Sequence, residues 1–195
     1  MNLFYDVGKA MLTEIRKRRF TREEYHRLVD VGILREDDRL ELIDGEILEM
    51  SPINKRHAAC VLRMSTFFTR SFQQTALVSA QGPLRLNRYS EPQPDVIVLK
   101  PRDDFYDGEW TPQDVLLLVE VSDTTLKYDR EVKLPRYAVA GIPEVWIADV
   151  NENLVFVYRE PAGDGYKTEL TFHRSDSISP LAFPDSVFKV EELLG

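Results

Sequence analysis

The run Val115-Leu-Leu-Leu-Val-Glu-Val-Ser122 constrains this chain more than any other stretch. Its apolar residues follow one another without the polar alternation of a half-exposed strand. The run therefore reads as a strand buried on both faces, in the middle of a sheet covered by helices. One carboxylate, Glu120, stands near its end. An uncompensated charge there costs on the order of several kcal/mol even after relaxation, so Glu120 needs a cation, a proton or a hydrogen-bond donor. Pro94-Asp95-Val-Ile-Val-Leu99 supplies a companion, beginning on an acid and then turning wholly apolar. Two acids at the ends of two core strands point to a metal site.

The neighbouring segments supply the layers around such a sheet. Phe20-Thr-Arg-Glu-Glu-Tyr25 is a helix start, with Thr21 as N-cap, Glu24 completing a capping box and Phe20 placed to staple onto Tyr25. Arg39 to Met50 reads as a hairpin, because Asp44-Gly45 supplies the positive φ angles of a two-residue turn. Leu40 and Leu42 then face one way and Glu41 and Ile43 the other, so Glu41 points either to solvent or towards the converging sheet residues. Lys55 to about Gln74 carries Ala58, Val61, Leu62, Ser65, Phe68 and Phe72 at helical spacing, which predicts a long helix covering the sheet. Lys55, Arg56, Arg63 and Arg70 fall among its polar positions as a basic stripe.

Two short strands are expected at Ala76 to Ala80 and Leu84 to Asn87, divided by the turn Gln81-Gly82-Pro83. Leu126 to Ala140 predicts a helix with Asp129, Lys133 and Tyr137 on one face, kinked or divided by Pro135 and ended by Gly141. Further strands are expected at Pro143 to Asp149, Leu154 to Tyr158 and Tyr166 to Phe172. Val190 to Leu194 reads as a closing helical turn. The alternation of strands and helices implies an α/β fold around a mixed sheet.

At 195 residues the chain fits one domain, able to bury roughly 70% of its unfolded surface. Cys60 is its single cysteine, which excludes an internal disulfide and a cysteine-based zinc cluster and fits a reducing, cytoplasmic setting. The N-terminus lacks an uninterrupted signal-peptide core, and the longest apolar run is far too short to span a membrane. No membrane partner is expected. With Lys+Arg 25 against Asp+Glu 33, the formal net charge is -8, the opposite of a nonspecific nucleic-acid binder. Contact with DNA or RNA then depends on a local basic face, and on metal ions that neutralise the acids at the site.

Carboxylates at the ends of adjacent central strands suit Mg²⁺ or Mn²⁺, hard cations that take oxygen ligands and keep several waters. Such an ion activates a water and stabilises charge on a phosphodiester oxygen, with a nearby lysine orienting the water, deprotonating it or countering the developing charge. Each residue also has a plainer reading. Asp95 fits a strand-start turn, Lys133 a solvated helix lysine or ion-pair partner of Asp129, and His57 an ordinary surface group rather than a contact to substrate phosphate.

The succession Thr21-x-x-Glu-Tyr25, Arg39-Leu-Glu-Leu-Ile-Asp-Gly-Glu46, Ser51-Pro52 with His57, Gln93-Pro-Asp95, Val119-Glu-Val-Ser122, Tyr128-Asp-Arg-x-x-Lys133 with Tyr137, and Gly141-Ile-Pro-Glu-Val-Trp146 resembles the Uma-two family of restriction endonucleases. The resemblance runs from about Thr21 to the C-terminus. It implies residues 1–20 as an N-terminal extension and 21–195 as a single restriction-endonuclease-like domain of the PD-(D/E)XK nuclease superfamily. It implies a Mg²⁺-dependent endonuclease hydrolysing DNA, with Asp95 and Glu120 as catalytic metal ligands. The lysine usually found two residues after the acid is replaced here by Ser122. The resemblance draws it instead from the next helix, as Lys133, and adds Glu41 as a further acid. His57, Ser122 and Tyr137 are the expected substrate contacts, and a homodimer is expected by analogy with enzymes that cut both strands. Two alternatives remain: a catalytically silent, dimeric interaction protein that keeps the acids as a buried network, and a metal-dependent hydrolase acting on RNA or nucleotides.

Overall fold

The computed structural model describes residues 17–35 and 37–195. In chain order these carry α1 (Arg22–Asp30), a hairpin of β1 (Leu40–Ile43) and β2 (Glu46–Glu49), the long helix α2 (Lys55–Phe72), then β3 (Leu77–Ala80), β4 (Val96–Leu99) and β5 (Val115–Ser122). A crossover follows, made of α3 (Leu126–Tyr128), a π-helical turn (Asp129–Lys133) and α4 (Leu134–Ala140). It leads to β6 (Glu144–Asp149), β7 (Leu154–Ala162) and β8 (Gly165–Phe172). The short pair β9 (Ser177–Ile178) and β10 (Phe188–Lys189) and the terminal α5 (Val190–Leu194) complete the chain. Residues 1–16, which make up most of the expected N-terminal extension, lie outside the described residues.

Strands β3 to β8 form one six-stranded sheet in sequence order, antiparallel at every step except the parallel pair β5 and β6. A parallel step requires a crossover connection, and this one brings α4 across the end of β5. The result is the expected mixed sheet flanked by helices. Every residue of β5 except Leu116 is buried. Leu117, Val119 and Val121 join the core under α2, with Met64, Phe68 and Phe72, while Leu118 packs on the other face with Tyr137 and Ile142.

Helix α2 buries Cys60, Val61, Met64, Phe68 and Phe72, a stripe rotated from the expected one. Ala58 and Leu62 are exposed, Leu62 by 69%. The helix is tied at its N-terminus and at its middle: the Asn54 side chain accepts from the His57 amide at 2.9 Å and donates to Asp123, and Arg63 donates to the carbonyl of Leu194. These ties set the rotation about the helix axis. They also remove Arg63 from the expected basic stripe.

Three further expectations are corrected. Residues 84–87 do not form a strand, because the amides of Leu84 and Leu86 are taken by the carbonyls of Pro92 and Ser90 on the returning loop. The disturbance attributed to Pro135 lies one turn earlier, as the π-helical turn. The proline ring crowds the carbonyl four residues back, which is Glu131, inside that turn. The strand expected to end at Tyr158 runs on through Pro161 to Ala162, since β6 stops pairing at Arg159 and leaves Pro161 only β8 as a neighbour.

In the first hairpin Asp44 and Gly45 have φ of 52° and 82°, as the expected turn requires. A β-carbon on Gly45 would stand 2.6 Å from that of Arg19, so the residue serves close approach as well as conformation. Glu41, Leu42 and Ile43 are all buried. Both faces of β1 are therefore covered, and Leu42 bridges to Glu91. Among the described residues no helix is long and apolar enough to cross a membrane.

Phe68 is completely buried, with ring centroids 5.5, 5.8 and 5.2 Å from those of Phe72, Trp146 and Phe188. Phe68→Ala is expected to lower unfolding stability by about 3–5 kcal/mol, read as a fall in the urea midpoint at unchanged slope. A loss below about 1 kcal/mol would mean that α2 is not the lid of this core.

Candidate active site

Antiparallel pairing of β4 with β5 sets Val96 against Val119, which places the residue before β4 beside the end of β5. The Asp95 carboxylate accepts the Val121 amide at 2.8 Å through Oδ2. Asp95 and Glu120 accordingly line one cleft of about 520 Å³. Its other walls come from the exit of the first hairpin, including Leu48, Met50 and Ile53, from the first turn of α2, and from residues between Asp123 and Lys133.

The crossover and the hairpin converge on the floor. Nζ of Lys133 lies 3.1 Å from Oε2 of Glu41 and 3.2 Å from Oε1 of Glu120. The Tyr137 hydroxyl donates to Oε1 of Glu120 at 2.5 Å, and the Tyr128 hydroxyl donates to Oε1 of Glu41 at 3.1 Å. On the same turn, Asp129 accepts at Oδ2 from the hydroxyls of Ser122 and Thr125, both at 2.7 Å. Glu41, Glu120, Asp129 and Lys133 are all at most 5% exposed.

The electrostatics are unbalanced. Four carboxylates, Glu41, Asp95, Glu120 and Asp129, surround the single ammonium of Lys133. Burial alone would lower the lysine, but these charges together outweigh it and hold Lys133 protonated above its ordinary value. Burial also pushes the Glu120 carboxyl well above the usual carboxylate range, with Lys133 offsetting the rise only in part. Asp129 is raised by burial too, against the pull of Lys133 and the two hydroxyls. A site with this surplus of buried negative charge favours a further cation.

Every residue singled out in the sequence as catalytic or metal-ligating, Asp95, Glu120, Lys133 and Glu41, borders this cleft. His57 borders it as well, with Nε2 3.2 Å from Oδ2 of Asp95 and its buried Nδ1 without a hydrogen-bond partner among the described residues. Burial works against the imidazolium, but the Asp95 hydrogen bond and charge outweigh it and raise its pKa. Ser122 and Tyr137, where substrate contact was expected, are 0% and 1% exposed with hydroxyls turned inward onto Asp129 and Glu120. They orient acids instead of facing the cleft.

Two participants at the floor were not among the site residues expected from the sequence. Asp129 has the signal of lying one helical turn before Lys133, yet its partnership with Ser122 depends on the end of β5 lying against the turn that carries it. Tyr128 reaches Glu41 only because the hairpin folds over the crossover, which no local pattern announces.

Among the described residues, no three His, Cys, Asp or Glu side chains close on one point as a preformed metal cage. Mg²⁺ does not need one, since it is commonly held by one or two carboxylates and several waters. Among the described residues, no hydrogen bond reaches Oδ1 of Asp95 or Oε2 of Glu120. Two hard donors, each with an oxygen to spare, beside a surplus of acid fit a divalent cation.

The comparisons with known proteins agree with this architecture. No curated protein matches the chain. A solved structure described as "a putative nuclease belonging to DUF820 from Anabaena variabilis ATCC 29413" aligns with a TM-score of 0.70 at 17% identity, covering 90% of this chain and 97% of that one. At that identity the likeness is one of fold. A family model described as "Uma2: Putative restriction endonuclease" matches residues 22–191. With the matched span taking in the hairpin, both acidic strand ends and the crossover lysine, the chain belongs to the Uma2 family.

Proposed function

We propose that the chain is a Mg²⁺-dependent endonuclease that hydrolyses DNA phosphodiester bonds, with Asp95 and Glu120 as the metal ligands; Mn²⁺ fits the same donors. The observation that carries this reading is the surplus of carboxylates around one ammonium, on the floor of a cleft where both ligands keep an oxygen unspent. When bound, the ion supplies a Lewis acid that lowers the pKa of a coordinated water and draws charge from a phosphoryl oxygen.

The chain's own residues do the rest. Lys133 is held between Glu41 and Glu120, and because it stays protonated it counters the charge that builds on the phosphate and does not take a proton from water. Glu41 positions that ammonium and is itself held by Tyr128. Tyr137 fixes the rotamer of Glu120, while His57 and the Val121 amide fix that of Asp95. Ser122 and Thr125 keep Asp129 on the turn that carries Lys133.

Metal binding should be visible without turnover. At a Mn²⁺ concentration one hundred times the dissociation constant, wild type is expected to gain about 2.7 kcal/mol, seen as a rise in melting temperature. Asp95→Asn should abolish that rise and the nicking of supercoiled plasmid together. An unshifted wild-type melt with no nicking would leave the site as a buried polar network in a silent interaction protein.

A further inference from the structure

The mouth of the cleft carries features that the metal chemistry does not use. Its hairpin wall presents Leu48, Met50 and Ile53, and Ile53 keeps 37% of its surface exposed. The wall is pinned: the Met50 amide donates to the Arg39 carbonyl at 2.7 Å, and the Arg39 guanidinium donates to the Ser51 carbonyl. An apolar wall held beside an acidic floor has two kinds of surface to meet, an uncharged face and a phosphate.

Most of the groups that would read or grip a duplex are already engaged. Of the amide side chains at the cleft, Asn54 is bound to the His57 amide and to Asp123, Gln93 donates to the Leu40 carbonyl, and Gln81 alone makes no side-chain hydrogen bond among the described residues. Duplex binding draws its affinity from several Lys or Arg contacts to phosphates, but in this chain Arg22, Arg85, Arg102, Arg130, Arg136 and Arg159 are all committed to acids. Beside the mouth, Lys55 and Arg56 are the exposed cations without an ion pair among the described residues. The floor is also recessed, with the side chains of Asp95 and Glu120 only 13% and 3% exposed.

We propose that the site acts on an unpaired DNA strand: one nucleotide descends into the cleft, its base face against Leu48, Met50 and Ile53 and its phosphate above Asp95 and Glu120. The proposal rests on the metal-dependent nuclease reading and narrows its substrate. In a duplex the base faces are stacked on one another and only the edges are offered. Apolar side chains reach a base face where the strand is single or the nucleotide has been flipped out, and flipping costs a few kcal/mol.

The test compares one labelled oligonucleotide, alone and annealed to its full complement, with Mn²⁺ and the whole chain. The single strand is expected to be cut faster by about tenfold or more, because the duplex must first give up a nucleotide at a cost of a few kcal/mol. Ile53→Glu, at an exposed position, should leave the melting temperature and its Mn²⁺ shift unchanged. It should raise KM for the single strand by about tenfold while kcat stays within about twofold. Equal or faster cutting of the duplex would overturn the proposal and leave the nuclease reading standing, as would an unchanged KM in Ile53→Glu. Cutting of neither form would overturn both.

Discussion

Glu120→Gln is expected to make the metal-free protein more stable while removing its metal-dependent cleavage. Glutamine keeps the shape of glutamate and an oxygen for the Tyr137 hydroxyl, so packing is conserved. What it removes is an ionisable group whose folded pKa is raised by burial well above the ordinary glutamate value of 4.5. A carboxyl raised in this way supports the fold fully below its unfolded pKa, and that support is lost as pH rises towards the folded value. The variant should therefore match wild type in acid and gain on it as pH climbs from about 4.5 towards neutrality. The gain should reach on the order of 1 kcal/mol, or roughly 2–4 °C in melting temperature for a chain of this size. Lys133 keeps Glu41 at 3.1 Å, so the ammonium is not stranded. Cleavage should fall by roughly 10²–10³-fold, the cost of one electrostatic group in a water-poor site. A variant less stable than wild type at neutral pH would show that Glu120 serves the fold as an ion-pair partner first.

The same carboxylate was the most legible feature of the sequence, for a related reason. An acid after a run of Val and Leu has no comfortable place in a sheet interior, so its need for a partner is visible before any coordinates. Asp95 was legible only as a companion, because its nearness to Glu120 depends on β4 and β5 being antiparallel neighbours. Lys133 came from the family resemblance; spacing alone fits a solvated lysine equally well. Local patterns failed where long-range contacts decide. The buried stripe of α2 passes through Cys60 and Met64 instead of Ala58 and Leu62, because ties at Asn54 and Arg63 set the helix rotation. Residues 84–87 have strand-like composition, but the amides of Leu84, Leu86 and Asn87 go to the returning loop and that of Arg85 to the carbonyl of Trp110. The inward hydroxyls of Ser122 and Tyr137 follow from the depth of β5 and α4 beneath the cleft, which periodicity does not report.

Lys133→Met should be the most damaging single change at the floor. It keeps an apolar stem but leaves Glu41, Glu120 and Asp129 buried around no cation, and breaking a buried ion pair by removing one partner costs about 3–5 kcal/mol. Glu41→Gln in the same background should recover part of the loss, with a coupling energy of about 0.5–3 kcal/mol in the double-mutant cycle. Divalent metal should stabilise Lys133→Met more than wild type, because the added cation relieves more unbalanced charge. Cleavage should nonetheless stay low at saturating Mn²⁺, since binding the ion does not replace the ammonium at the phosphate. Lys133→Arg then separates the two roles open to this residue. An arginine remains charged at any working pH and cannot accept a proton from water, so a charge-stabilising site retains measurable cleavage in Lys133→Arg and little in Lys133→Met. If both variants were equally inactive while the arginine protein remained folded and still showed the Mn²⁺ shift, Lys133 would have to be the base, against the acids that hold it protonated.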